Sequence, residues 1–302
     1  MSIDLRRREF VGSFAGPRLL VTGGVHGDEF EPMAAIRRLI QFFDAFDGTL
    51  CGRLTLVPVV NEAAFLRGHR CAEEDGLDLA RTCPGDPEGT VTEQAANALS
   101  QLIRQSDLYI DLHTGGTELA VSPLTGYMMV DAPDILDTQR RLARAMNLPI
   151  IWGTAADLDG RSMSVARDAG IPAIYAEYLG SATCSDDGVE AYFEGVLNVM
   201  AEFGMIDRVL LPTEVRHVIE DTRPGSGHMQ VCHPSPIDGC FEPAIALGAS
   251  IKKGEPLGQV VDLLGGESYP IPAEENGVVI VLRTFPRVRK GESCGVIMHT
   301  DG

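Results

Sequence analysis

Two histidines and two acids in this chain have the types and places that metal-assisted hydrolysis needs. His26 and Glu29 stand three residues apart in Thr22-Gly23-Gly24-Val25-His26-Gly27-Asp28-Glu29. One tight turn can therefore aim an imidazole and a carboxylate at a single cation, a nitrogen and oxygen pair that suits zinc. Glycines at 23, 24 and 27 let the backbone fold that closely. A third ligand has to come from far away in sequence. His113 is the candidate, because Leu108-Tyr109-Ile110-Asp111-Leu112-His113-Thr114-Gly115-Gly116 is again an apolar run ending in a histidine and glycines. His-x-x-Glu is also met as a loop histidine beside a solvated acid. What favours a metal site is that both histidines fall where a predicted strand ends, the place where open α/β sheets hold ligands. Glu177 is a carboxylate near the end of the apolar run Ile171-Pro172-Ala173-Ile174-Tyr175-Ala176-Glu177-Tyr178-Leu179. Burial there needs a reason, and Glu177 is either paired structurally or catalytic.

The elements that must position these residues alternate between strand and helix. Residues 19–22 read as a short buried strand and 33–43 as an amphipathic helix behind Pro32. Residues 53–60 read as a strand, with Pro58 hinting at an edge. Thr90 and Glu93 have capping-box spacing before a helix that feeds the strand of His113. Further strands are expected at 126–130, 149–152 and 171–180, and helices at 134–146, 162–169 and 189–203. Between them, residues 62–89 carry much charge and little periodicity, and a loop of that length in a compact domain is read as functional. It contains Arg67, Arg70 and Arg81, of which Arg67 reads as a solvated surface cation.

Near Leu211-Pro212-Thr213 the helical period stops, dividing the chain into residues 1–212 and a β-rich stretch, 213–302. Ile251-Lys252-Lys253-Gly254-Glu255 and Val288-Arg289-Lys290-Gly291-Glu292 form an internal near-repeat. It resembles the two halves of a biotinyl/lipoyl-type β-barrel. The modifiable lysine is missing, since the turn before Gly277 reads Ala273-Glu274-Glu275-Asn276. This module is expected to cap the cleft or to pair subunits into a homo-oligomer.

The 302 residues are 44% hydrophobic with a mean hydropathy of +0.04, which suits a soluble globular chain. A net charge of −18 argues against nucleic acid and anionic membrane as partners. Seven cysteines without a Cys-x-x-Cys pair indicate neither a disulfide framework nor a thiolate zinc site, and fit a reducing cytoplasm. Arg6-Arg7-Arg8 is not followed by the apolar core of a signal peptide, and no run is long enough to span a membrane. Gly225-Ser226-Gly227 lacks the context of a serine nucleophile. Cys232-His233 reads as a buried thiol beside a surface imidazole.

His26-Gly27-Asp28-Glu29, Asp78-Leu79-Ala80-Arg81-Thr82-Cys83-Pro84-Gly85, Asp111-Leu112-His113 and Glu177 occur in the order seen in the succinylglutamate desuccinylase/aspartoacylase family, related to the zinc carboxypeptidases. The resemblance runs from about Leu19 to the C-terminus. It implies an α/β fold, a mixed sheet flanked by helices, with a small β-barrel-like C-terminal domain. It also implies one zinc per chain on His26, Glu29 and His113, with a fourth position open for water. Glu177 would then be the general base, Arg70 would polarise the acyl carbonyl and Arg81 would hold a substrate carboxylate. The implied reaction is removal of an acyl group from an N-acyl amino acid. Many relatives have Asn before the second arginine where this chain has Ala80, so one amide hydrogen bond to substrate is missing and the acetyl-aspartate or succinyl-glutamate substrates are in doubt. Two alternatives stay open: a zinc carboxypeptidase acting on peptides, and a catalytically silent metal- or metabolite-binding protein.

Overall fold

The computed structural model describes residues 3–299, which alternate strand and helix up to residue 202. The order is β1 (Arg8–Val11), β2 (Phe14–Thr22), α1 (Phe30–Asp44), β3 (Cys51–Val57), α2 (Glu62–Arg67), α3 (Val91–Arg104), β4 (Leu108–His113) and β5 (Leu119–Met129). It continues with α4 (Pro133–Met146), β6 (Ile150–Ala155), α5 (Ser162–Ala169), β7 (Ala173–Gly180), α6 (Asp186–Glu202) and β8 (His217–Asp221). Shorter strands complete it: β9 (Gly239–Pro243), β10 (Ser250–Ile251), β11 (Pro256–Val261), β12 (Ser268–Pro272), β13 (Gly277–Arg283), β14 (Arg287–Val288) and β15 (Gly295–His299). No helix among the described residues is long and apolar enough to cross a membrane.

An eleven-stranded mixed sheet runs β1-β3-β2-β4-β7-β5-β13-β10, with β6 branching from β5 and carrying β8, and β15 on β13. The alternation of side chains in β2 shows why both faces are covered. Leu19 and Val21 pack against Ile36 and Leu39 of α1 and Val196 of α6. Leu20 points the other way, toward Leu99 and Ile103 of α3 and Val165 of α5. The C-terminal part adds a separate antiparallel sheet, β12-β11-β9-β14. Phe241, Leu257 and Val260 from that sheet share a core with Val279, Leu282 and Ile297 of β13 and β15. This is the mixed α/β arrangement, with a second small β unit, that the family resemblance implies.

Several elements differ from the sequence reading for local reasons. β2 starts at Phe14 rather than Leu19, and β1 precedes it as an edge strand paired only with β3. Their residues 8–17 are mostly exposed, so no burial pattern marks them. β3 stops before Pro58, which has no N–H for a ladder. The charged segment 62–89 begins as a helix: the Asn61 side chain accepts from Ala64 N, and Gly68 ends it at φ 67°. β5 is longer than its expected 126–130, with the register against β7 shifting between Val121 and Leu124. Pro123 sits at that irregularity, where a missing N–H does little harm.

The sheet does not stop where the sequence pattern changes. β8 pairs in parallel with β6, and β13 pairs antiparallel with Leu119–Val121 of β5. The β13 pairing brings the C-terminal strands beside the cleft described next.

Candidate metal centre and substrate cleft

The turn after β2 is fixed by backbone hydrogen bonds. Gly23 N donates to Val57 O (3.0 Å), while Val60 N and Asn61 N donate back to Gly23 O and Gly24 O (3.0 and 2.9 Å). Gly24 takes φ 62°, and a Cβ on Gly27 would stand 2.0 Å from the carbonyl carbon of Ala64 in α2. Only glycine permits that approach. Asp28, buried beside them, accepts from Thr117 N at 2.9 Å, tying the ligand turn to the loop that follows His113.

That packing brings His26, Glu29 and His113 together. His26 Nδ1 lies 2.6 Å from Glu29 Oε1, and His113 Nδ1 lies 3.0 Å from Glu29 Oε2. One ligand atom from each residue falls within 4.8 Å of the others. The outer ring nitrogens are held by carboxylates: His26 Nε2 lies 3.2 Å from Asp78 Oδ1, and His113 Nε2 lies 3.1 Å from Asp111 Oδ2. With each Nε2 held by an acid, a ring protonated there alone would turn its Nδ1 lone pair inward, the tautomer a metal-binding imidazole needs. Burial pushes the Glu29 carboxyl up in pKa, but the imidazoles of His26 and His113 outweigh it and lower it to about 2. The donor set is thus two imidazole nitrogens and a charged carboxylate, which fits a divalent cation of the zinc type.

The supporting acids are themselves supported. Asp111 is fully buried and accepts from Thr22 Oγ1 at 2.8 Å and from Ser162 Oγ; Thr22 Oγ1 also lies 2.9 Å from Tyr109 Oη. Asp78 opens a short 3-10 turn, Leu79–Arg81, by accepting from Ala80 N at 2.9 Å. Its other oxygen accepts from Arg70 Nε and Nη2 at 3.1 and 3.0 Å. Burial raises the Asp78 carboxyl, but its bond to His26 and the charge of Arg70 hold it well below the usual range. Asp78 therefore couples His26 to Arg70 through one carboxylate.

Glu177 stands opposite His113 in the β4–β7 register. It is buried, and its Oε2 has no hydrogen-bond partner among the described residues. Burial above all, with repulsion from Glu29, pushes its pKa up to about 8 against the attraction of His113 and Arg70. A carboxylate poised near neutrality suits proton transfer. Just beyond it, Leu179, Ser181 and Ala182 take φ of 46°, 58° and 57°. Non-glycine residues in this region are strained, and such strain gathers at functional sites. Here it lets Leu179 O accept from Gly115 N (2.8 Å) and Gly116 O from Ala182 N (2.9 Å), locking the turn after Glu177 to the loop after His113.

All six residues singled out from sequence line one cleft of about 890 Å³: His26, Glu29, Arg70, Arg81, His113 and Glu177. Ala80 lines it beside Arg81, whose Nη1 donates to Ala80 O at 2.6 Å. Partial burial, then repulsion from Arg161, lowers the Arg81 pKa to about 10, leaving it charged near neutrality. Leu119, Val121, Met128 and Tyr175 form an apolar wall, completed by Val281 of β13.

Arg161, in none of the sequence motifs, also lines the cleft. Its Nη1 reaches Gly227 O at 3.5 Å, its Nε is buried without a partner among the described residues, and burial lowers its pKa. A signal existed: an arginine stands at the N-cap of α5, where the helix dipole disfavours a cation. Asp111 had a weaker one, lying two residues before His113 on the same face of β4.

Other readings are settled by local bonding. Ser226 Oγ accepts from Ala155 N and donates to Asp221 O, both at 2.9 Å, a structural hydroxyl rather than a nucleophile. The Cys232-His233 expectation was inverted. The imidazole is the buried member, its Nδ1 donating to Gly295 O (3.0 Å) and its Nε2 accepting from Glu274 N (3.3 Å), while the thiol is half-buried. Arg67 is more than a solvated cation, since Nη1 donates to the Cys71 and Ala72 carbonyls at 3.2 and 3.1 Å and closes the loop after α2. All seven cysteines are free thiols.

Comparison with known proteins points to the family that the motifs resemble. Residues 15–203 match the model of the succinylglutamate desuccinylase/aspartoacylase catalytic domain. The N-alpha-acetyl-L-2,4-diaminobutyric acid deacetylase of Halomonas elongata is 30% identical over 288 residues, covering 93% of this chain and 82% of that protein. Among solved structures, a succinylglutamate desuccinylase/aspartoacylase from Rhodobacter sphaeroides superposes with a TM-score of 0.85 at 25% identity, covering 99% of this chain and 90% of that one. The product-bound ectoine utilization protein of Ruegeria pomeroyi gives 0.86 at 27% identity, covering 96% and 87%. With the motif residues gathered in one cleft and the match spanning most of the sequence, the chain belongs to the succinylglutamate desuccinylase/aspartoacylase family.

Proposed function

We propose that this protein is a zinc-dependent amide hydrolase that removes an acyl group from the nitrogen of a small amino acid bearing a carboxylate. The observation that carries this reading is the juxtaposition of the buried Glu177 carboxylate, whose Oε2 has no partner among the described residues, with the His26, Glu29 and His113 donor set, in a cleft that also holds arginines. Zinc bound there supplies a Lewis acid for the acyl carbonyl and lowers the pKa of water. Glu177 takes the proton from the attacking water and delivers it to the leaving amine, as a carboxylate whose pKa burial has raised can do. Arg70, oriented by its two bonds to Asp78, donates to the acyl oxygen as negative charge develops on it. Arg81 presents a planar fork to a substrate carboxylate.

The Halomonas deacetylase, by its name, acts on an N-acetylated amino acid, which supports the same class of reaction here. Gly227, Met229 and Val281 line the cleft, which supports a small substrate over a peptide chain. The C-terminal strands are accordingly proposed to act as a cap. Ala80 leaves the cleft without the amide that many relatives place beside the second arginine, so a broader range of acids is expected. The test is a hydrolysis screen of zinc-loaded protein against N-acyl amino acids and matched dipeptides. Turnover of the acyl amino acids supports the proposal; turnover of dipeptides alone favours the peptidase, and none at all the silent binder.

A further inference from the structure

Tyr175 has no place in the chemistry described so far, yet it is built into the cleft with care. It lies two residues before Glu177 on β7, so strand alternation puts both side chains on one face. Its antiparallel partner on β5 is Gly126. The ring lies in the notch left by that missing side chain: a Cβ on Gly126 would come 2.1 Å from Tyr175 Cζ and 2.4 Å from its hydroxyl oxygen. Glycine inside a strand weakens it and is retained where something else must come close. Here the thing that comes close is an aromatic ring that lines the cleft.

The phenol itself is the second observation. Tyr109, Tyr127 and Tyr192 each hydrogen-bond a protein group through their hydroxyls, whereas the Tyr175 hydroxyl has no such bond among the described residues. Its neighbours are charged: Glu177 raises its pKa and Arg161 opposes that, after burial as the main cause. The half-buried Tyr175 lines the cleft, so its hydroxyl is open to a partner there, whereas phenylalanine would fill the same notch without offering a donor. The buried Arg161 Nε is likewise a donor without an acceptor among the described residues.

Resting on the deacylase reading, we propose that Tyr175 is a substrate-contacting, specificity-determining residue, seated by Gly126, whose hydroxyl donates to an oxygen acceptor at the far end of the substrate's amine half. A side chain ending in a carboxylate or carboxamide satisfies it. One ending in an alkyl group does not, and one ending in an ammonium also meets the charge of Arg161.

Three probes of similar length separate these cases: N-acetylglutamate, N-acetylglutamine and N-acetylnorleucine. Y175F should raise KM about tenfold for the two oxygen-tipped probes and leave KM for the norleucine compound unchanged, the effect of one hydrogen bond to an uncharged or charged acceptor. G126A, which displaces the ring, should raise KM for the oxygen-tipped probes at least as far, and the double variant G126A/Y175F should lose no further discrimination. Equal KM for wild type and Y175F on the oxygen-tipped probes overturns the assignment, as does an equal loss on all three probes. If the wild-type enzyme hydrolyses no N-acyl amino acid, the functional reading fails first and takes this assignment with it. Y175F keeps the ring, so the experiment stands even if G126A does not fold.

Discussion

Replacing Glu177 by Gln tests burial and chemistry at one position. The carboxyl is buried, one oxygen has no partner among the described residues, and its pKa rises from an ordinary 4.5 to about 8. Because the folded pKa lies above the unfolded one, the contribution of this group to stability is complete below pH 4.5 and is lost as pH rises through 8. That displacement corresponds to a ceiling of about 5 kcal/mol, and relaxation and water entry reduce it to a few. Gln keeps the shape and removes the titration. In metal-free protein, E177Q should therefore match the wild type near pH 4.5 and gain on it steadily to pH 9. At ~2 °C per kcal/mol for a chain of this size, the gain amounts to several degrees in Tm. Calorimetry in chelator at pH 5, 7 and 9 reads it directly. The zinc-loaded variant should keep its metal yet lose roughly 10²–10⁴-fold in kcat, the range for a removed general base. A Tm difference that does not grow with pH refutes the uncompensated burial. Near-normal turnover refutes the proton-transfer role.

The metal site and the arginines make separate predictions. His26→Ala and His113→Ala should each lose bound zinc by elemental analysis, against one per chain in the wild type; equal content in all three removes the site. Asp111→Asn should keep the ligands but weaken zinc binding by about 10–100-fold in a chelator competition, because it orients His113 from behind. Arg81→Lys keeps the charge but loses the fork, and should mainly raise KM, whereas Arg70→Ala should mainly lower kcat. Steady-state kinetics on a free acid and its amide check the first effect: if the amide is hydrolysed as well as the acid, Arg81 anchors no carboxylate.

The sequence by itself went far where chemistry leaves short-range marks. His26 and Glu29 are three residues apart and Gly27 must lack a side chain, so the ligand turn was legible locally. His113 closes one apolar strand and Glu177 stands in the second half of another, and the ordered motifs supplied the family. The capping box at Thr90 and Glu93 marked its helix by two local bonds. Tertiary structure decided whatever depends on which strands become neighbours. Asp78 meets His26 across 52 positions and Ser162 meets Asp111 across 51, separations at which no spacing rule operates. β8 joins β6 and β13 joins β5, because hydrogen-bonding edges, not a change in composition, determine where a sheet ends. Gly126 reads in sequence only as the start of a strand; its meaning, a seat for the ring of Tyr175, exists only once β5 and β7 lie side by side.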